Sequence, residues 1–293
     1  MISSFLAAKI FCISGPFFRR SLLAMALKID PRDPNFAWDK MKVHQKVEEI
    51  KLVDPLSPKK EGHTRFVCIS DTHNKTSNLL VPDGDVLIHA GDFTGVGHRK
   101  EVQVFKDFVL TLPHPNKIII AGNHDITFDE ESYPKIYSTF GHREPYNCQE
   151  IKDMIAKEPS ITYLEDSGCT INGISIWGSP WQPAFCGWGF NLERGEPLQK
   201  KWDLIPEDTD VLITHGPPIG HGDLCFHGGR AGCVDLLQTI QGRVKPRYHV
   251  FGHIHEGYGV TTDGNTIYVN ASTCNIQYRP LNKPVVFDIP NKS

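Results

Sequence analysis

Five short apolar runs punctuate the middle of the chain, and each stops at a polar cluster. They cover residues 66–69, 86–90, 117–120, 211–214 and 249–251. Runs of this length bounded by turn residues predict strands covered on both faces. The run 86–90 (Val-Leu-Ile-His-Ala) leads into Gly91 and Asp92 and reads as the central strand. The others stop before Ser-Asp-Thr-His (70–73), Ala-Gly-Asn-His-Asp (121–125), His-Gly-Pro-Pro (215–218) and Gly-His-Ile-His (252–255). A core needs the apolar runs but not these polar ends. Open α/β sheets carry their chemistry just outside the carboxyl ends of strands.

Between the strands the period changes. Val102, Phe105, Phe108, Val109 and Leu112 recur at helical spacing and predict a crossover helix over 98–112. Further helices are expected over 149–157 and around 230–240, and Pro82-Asp83-Gly84 marks a turn. Cys169-Thr-Ile and Ile174-Ser-Ile flank Asn172-Gly173, a two-residue hairpin signal. Asp263-Gly264 signals a second hairpin, and residues 284–289 a late strand. Residues 178–195 are loop-like, rich in Gly, Pro and aromatics. No internal repeat is present. The expected class is α/β (α+β): two packed mixed sheets flanked by helices. Residues 1–60 are expected to form a leader and an extended arm with Pro31, Pro34, Pro55 and Pro58, and residues 61–293 the catalytic domain.

Composition narrows the partners. The 293 residues are 40 % hydrophobic and 22 % charged, with net charge −3. That balance offers no general attraction to duplex nucleic acid or an anionic membrane, so an anionic substrate must be drawn locally. No stretch is apolar enough to span a bilayer. The eight cysteines contain no Cys-x-x-Cys pair and read as free thiols of a reducing compartment. Residues 1–29 hold Lys9, Arg19, Arg20 and Lys28 without an acid, which fits a mitochondrial transit segment. A leader without a fold, or a packing helix, is the plain alternative, and the cytoplasm is the default expectation. The oligomeric state is left open.

The polar ends carry the candidate chemistry. In extended backbone, residues i and i+2 point to one side, so Asp71 and His73 can face one ion, as can His253 and His255. Asp92, Asn123 and His215 add donors. Two carboxylates, one amide and four imidazoles without a thiolate suit manganese, iron or zinc better than calcium. Seven donors exceed one tetrahedral ion but fit two if a carboxylate bridges. Two divalent ions less two carboxylates leave about +2, a local sink for a phosphate anion. Any one Gly-Asp or Gly-His would be an ordinary turn; the ordered set of five blocks carries the inference.

Asp-Thr-His (71–73), Gly-Asp (91–92), Gly-Asn-His-Asp (122–125), His-Gly (215–216) and Gly-His-Ile-His (252–255), in this order, resemble the calcineurin-like metallophosphoesterase superfamily. The phrases HTRFVCISDTH, THGPP and FGHIHEGYG are similar to its animal metallophosphoesterase-domain-containing branch, which resembles class III cyclic nucleotide phosphodiesterases. The resemblance spans about residues 60–290 and implies a four-layer αββα sandwich. It implies that Asp71, His73, Asp92 and His255 hold one metal and that Asp92, Asn123, His215 and His253 hold a second, with Asp92 bridging. Manganese is the metal the family commonly uses. His124 would protonate the leaving oxygen or stabilise the transition state.

The implied activity is hydrolysis of phosphodiesters, including cyclic nucleotides, by in-line attack of metal-activated water or hydroxide. A small-molecule phosphomonoesterase, or a binding scaffold on the same fold, is the alternative. Gly91-Asp92-Phe93-Thr94 lacks the nearby Asp-Arg expected of a protein phosphatase. Asp125 would orient a histidine or cap a helix, His89 and His249 would support the ligands or fill core, and Cys68 and Cys274, in apolar surroundings, would be core. Trp181 and Trp188, with Phe185 and Phe190, would wall the cleft for a nucleobase; a core-closing plug is the plain alternative.

Overall fold

The computed structural model describes residues 29–292. The question of a transit segment therefore lies almost wholly outside the described residues. In chain order the strands are β1 (Glu48–Glu49), β2 (His63–Ile69), β3 (Val86–Ala90), β4 (Asn116–Ile120), β5 (Ile161–Tyr163), β6 (Ser167–Ile171) and β7 (Ile174–Ser179). There follow β8 (Gln182–Pro183), β9 (Asn191–Leu192), β10 (Val211–Thr214), β11 (Tyr248–Phe251), β12 (Gly259–Thr262), β13 (Ile267–Asn270) and β14 (Val285–Pro290). The α-helices among the described residues are α1 (Pro34–Met41), α2 (Arg99–Thr111), α3 (Tyr133–Ile136), α4 (Cys148–Ala156), α5 (Glu196–Trp202) and α6 (Val234–Thr239).

One sheet has the order β14-β2-β3-β4-β5 and the other β1-β12-β13-β11-β10-β7-β6. β2 to β5 run parallel, as do β7, β10, β11 and β13, so both sheets send parallel carboxyl ends toward one region. Alternation along each strand sorts the side chains. Phe66, Cys68, Ile88 and Ile118 of one sheet pack against Ile176, Ile213, Val250 and Val269 of the other. Ile119 turns outward against Phe105 and Val109 of α2 and Ile151 of α4. Leu212, Phe251 and Tyr268 turn outward under Trp202, Leu237, Ala37 and Met41. Each such buried side chain contributes roughly 1.5–3 kcal/mol. The layers are helix, sheet, sheet, helix, as the sequence led us to expect.

Asn172 and Gly173 have φ of 51° and 76°, the paired positive values of a type I′ turn. The segment read as an extended arm differs from expectation. Asp33 accepts the Phe36 N–H at 3.0 Å and Pro34 stands at the first helical position, so α1 begins there. Its Ala37 and Met41 join the outer core, and β1 pairs with β12.

Candidate metal centre

Four of the seven candidate donors sit on left-handed backbone that L-residues avoid, not on the extended backbone expected from their spacing. Asp71, His73, Asp92 and His253 have φ of 51°, 42°, 56° and 67°. Left-handed conformations cost about 1–3 kcal/mol each and persist where the surroundings impose them. Here Asp71 N–H donates to Gly91 O at 2.9 Å and His73 N–H to Asp92 O at 3.0 Å, locking the end of β2 onto that of β3. The adjacent glycines are required by contact. A Cβ on Gly252 would overlap Asp71 Oδ2, and one on Gly122 would overlap Asp92 Oδ1.

Four histidines are oriented alike. Nδ1 donates to a backbone carbonyl in His73 (Thr94 O, 3.1 Å), His124 (Gly95 O, 2.7 Å), His215 (Ala90 O, 2.9 Å) and His255 (Asn275 O, 3.0 Å). A carbonyl only accepts, so each Nδ1 carries a hydrogen, and in the neutral ring the Nε2 lone pair is left facing the cluster. His73 Nε2 and His255 Nε2 stand 3.3 Å apart, and His215 Nε2 lies 2.9 Å from Asn123 Oδ1. Acceptors facing acceptors at this range need positive charge between them.

The electrostatics agree. Burial opposes protonation of His215 and His255, but Asp92 and Asp71 outweigh it and raise each to about 9. Burial pushes His73 and His253 down, to about 4 and about 3. Although burial opposes it, the neighbouring imidazoles hold the Asp71 and Asp92 carboxyls well below the usual range. Each half of the cluster thus draws one extra proton. A divalent cation in each half would satisfy the same lone pairs, so the donor set fits two metal ions.

Three groups of ligand atoms lie within 4.8 Å of one another: Asp71, His73, His255; Asp92, His215, His253; and His73, Asp92, His124. The structure therefore brings all seven expected donors and His124 to one place. Trp188 joins them by stacking on His124 at 3.9 Å. Trp181 does not. Its Nε1 donates to Asp166 at 2.9 Å and its ring packs edge-on against Phe190 at 5.4 Å.

Asp125 neither orients a histidine nor caps a helix with its side chain. It accepts the N–H groups of Asp92, Phe93, Thr94 and Gly122 and the Thr94 hydroxyl, fixing the turn after β3. His89 and His249 are buried on Thr72 and Thr214 hydroxyls, at 2.9 and 2.7 Å. Cys68 and Cys274 are core. Tyr278 was not foreseen: its ring lies 4.8 Å from His73 and 5.3 Å from His255, on backbone with φ of 55°. It follows β13, which runs parallel to β11, so the carboxyl-end rule points to this stretch, whereas the hairpin signal at Asp263-Gly264 does not.

Residues 64–257 match the family model for calcineurin-like phosphoesterases, a span that contains every donor. The chain belongs to the calcineurin-like phosphoesterase family. It is 50 % identical over 252 residues to human metallophosphoesterase domain-containing protein 1, covering 82 % of this chain and 76 % of that one. It is 44 % identical over 273 residues to UPF0046 protein T07D4.2 of Caenorhabditis elegans, covering 88 % and 68 %. More distantly, it is 28 % identical over 185 residues to a probable glycerophosphodiester phosphodiesterase, GpdQ, of Arcobacter nitrofigilis, covering 61 % and 59 %. Membership suggests hydrolysis of phosphoester bonds with divalent metals. Among the described residues no helix is long and apolar enough to cross a membrane.

Proposed function

We propose that the protein is a two-metal phosphodiesterase whose substrates include cyclic nucleotides. The observation that carries this reading is the position of Asp92. Its Oδ2 faces His215, His73 and His124 at 3.4, 3.8 and 4.0 Å, so one carboxylate serves both halves of the cluster. Asp71, His73, Asp92 and His255 would hold one ion, and Asp92, Asn123, His215 and His253 the other. Manganese is the first choice, with iron and zinc behind it, because the donors are oxygen and imidazole nitrogen without thiolate. Such ions supply Lewis acidity toward phosphoryl oxygens and acidify a water to near neutrality.

The protein does the rest. His124 cannot swing away, because Gly95 O holds its Nδ1 and Trp188 covers its face. With both ring nitrogens protonated, its Nε2–H, turned to the cluster, would give its proton to the leaving oxygen and leave the neutral ring still bonded through Nδ1–H to Gly95 O. A nucleobase stacked on an aromatic gains roughly 1–3 kcal/mol, and the half-buried Trp188 beside His124 would offer it on whatever part of its ring Phe140, 4.3 Å away, leaves uncovered. Diesters are favoured by the likeness to a protein named as a glycerophosphodiester phosphodiesterase. The cytoplasm suits the free state of the seven described cysteines.

The test is a substrate panel on the manganese-loaded full chain. It comprises bis(p-nitrophenyl) phosphate, p-nitrophenyl phosphate, cyclic AMP and cyclic GMP. The diesters, cyclic ones included, should turn over faster than the monoester. A monoester preferred over every diester would overturn the reading.

A further inference from the structure

The carboxylate of Glu101, on the first turn of α2, reaches back to the loop that follows Asp92. Its Oε1 accepts Gly95 N–H at 3.2 Å, and its Oε2 accepts Val96 N–H at 3.1 Å and His98 N–H at 2.9 Å. Two of these bonds fall on consecutive peptide groups whose other ends hold the site. The peptide joining Gly95 to Val96 gives its N–H to Glu101 and its C=O to His124 Nδ1–H at 2.7 Å. The peptide joining Thr94 to Gly95 gives its N–H to Glu101 and its C=O to His73 Nδ1–H at 3.1 Å. A Cβ on Gly95 would stand 2.7 Å from Glu101 Oε1, so a side chain there would push the carboxylate off the Gly95 N–H.

We propose that Glu101 is a positioning residue for two histidines at once, acting through these peptide groups; its kinetic consequence rests on the phosphodiesterase reading above. An anion on one end of a peptide group polarises it and strengthens the bond accepted at the other end. It also fixes the plane of each carbonyl, and with it the direction of each imidazole. Histidines at metal sites are commonly oriented by a direct carboxylate or carbonyl, and losing such support costs about 10–100-fold in activity or metal affinity. Here one carboxylate supports two carbonyls. The competing role is ordinary capping: with His98, Glu101 completes a capping box at the start of α2. Capping alone would alter stability and leave the imidazoles untouched.

The experiment uses the full chain as wild type, Glu101→Ala and Glu101→Gln. Asn147→Ala, which removes the N-cap of α4, serves as a control for lost capping. Long-range 1H–15N spectra of the zinc-loaded protein read the imidazoles directly. His73 and His124 should each show a protected Nδ1–H in the wild type and lose that protection in Glu101→Ala. His215, held by Ala90 O, should be unchanged in every variant. On bis(p-nitrophenyl) phosphate, Glu101→Ala should lower kcat by about 10–100-fold with KM within about twofold. Glu101→Gln, with one acceptor oxygen left, should fall between. In a His124→Ala background the Glu101 effect on kcat should shrink to the part that still acts through His73, because coupled residues are not additive. Unchanged Nδ1–H signals in Glu101→Ala, or an equal loss of kcat in the His124→Ala background, would overturn the proposal. So would an equal loss of kcat in Asn147→Ala. If the wild type turned over no phosphodiester, the functional reading would fall and the imidazole spectra would still decide the role of Glu101.

Discussion

Gly252→Ala puts a methyl group where the Asp71 carboxylate already lies. The new Cβ would overlap Asp71 Oδ2 and Ser70 Oγ and stand 2.8 Å from Ser70 Cβ. The backbone at this point is pinned, with Gly252 N–H on His215 O at 3.0 Å and Ile254 N–H on Gly252 O at 2.8 Å. The carboxylate must therefore yield, by about 1 Å or more, to regain van der Waals contact. It would give up the His253 N–H at 3.0 Å and the Ser272 hydroxyl at 2.9 Å. Hydrogen bonds to a charged group are worth about 1.5–3 kcal/mol each, so the two together set a cost of about 3–6 kcal/mol before relaxation. For a chain of this size that corresponds to a fall in Tm on the order of 10 °C. Asp71 belongs to only one half of the cluster, so one ion should be lost and the other kept. Elemental analysis of dialysed, manganese-loaded chain should find about one equivalent fewer than in the wild type. Unchanged metal content with an unchanged Tm would refute the claim that Gly252 exists to admit Asp71.

His124→Ala should lower kcat by about 10²–10⁴-fold, as for a lost general acid, with metal content unchanged; loss of an ion would make His124 a ligand instead. Trp188→Ala should raise KM for cyclic AMP several-fold more than for bis(p-nitrophenyl) phosphate, which has no base to stack. Equal effects would leave Trp188 as a buttress for His124 only. Trp181→Ala should lower Tm while both KM values stay, because its indole is tied to Asp166 and not to the cluster. Acid should destabilise the metal-loaded protein through His221, which burial pushes down to about 4. Its folded pKa lies below the unfolded value near 6.5, so its contribution is whole above that value and is lost as pH falls toward 4. The slope is at most about 1.4 kcal/mol per pH unit for one group. His221→Phe, which keeps a ring against Tyr268, should flatten the fall in Tm between pH 6.5 and 5; an unaltered slope would exonerate His221.

The strands that carry the donors were legible because both their faces are buried, which leaves an unbroken apolar run. Their starts were less so. β2 begins at His63, three residues before its apolar run, because Arg65 is paired in the neighbouring strand with Asp288, its Nε 2.8 Å from Oδ1. Nothing local announces a partner more than two hundred residues away. The helix expected around 230–240 begins at Val234, since the residues before it are committed elsewhere: Arg230 pairs with Asp223, and Ala231 N–H donates to Asp223 O at 3.0 Å. The proline-rich arm hid α1, although Asp33 and Pro34 are a helix-start signal.

The candidate donors were legible because each sits in a short motif at a strand end, most of them beside a glycine; Asp71 and His73 have none and stand out only by their spacing. What no motif encodes is the support. The carbonyls of Thr94, Gly95, Ala90 and Asn275 that turn four imidazoles inward are backbone atoms, indifferent to residue type. Asp125 works through backbone N–H groups for the same reason, and so looked like a cap or a histidine partner. Among the aromatics, sequence could not separate Trp188 from Trp181, seven residues apart in one loop. The difference is a salt-bridged Asp166, which draws Trp181 away under Lys201.

Phosphodiesterase action by two ions that share Asp92 is the proposed activity. It is tested most directly by stripping the full chain with a chelator and returning manganese in measured equivalents. Bound metal and the rate on bis(p-nitrophenyl) phosphate are followed together. The stripped protein should be inactive, and the rate should rise chiefly as the second equivalent binds and level off at two; Asp92→Ala should fail to reach it at any loading. Full activity in the stripped protein, or a rate complete at one equivalent and unaffected by Asp92→Ala, would contradict it.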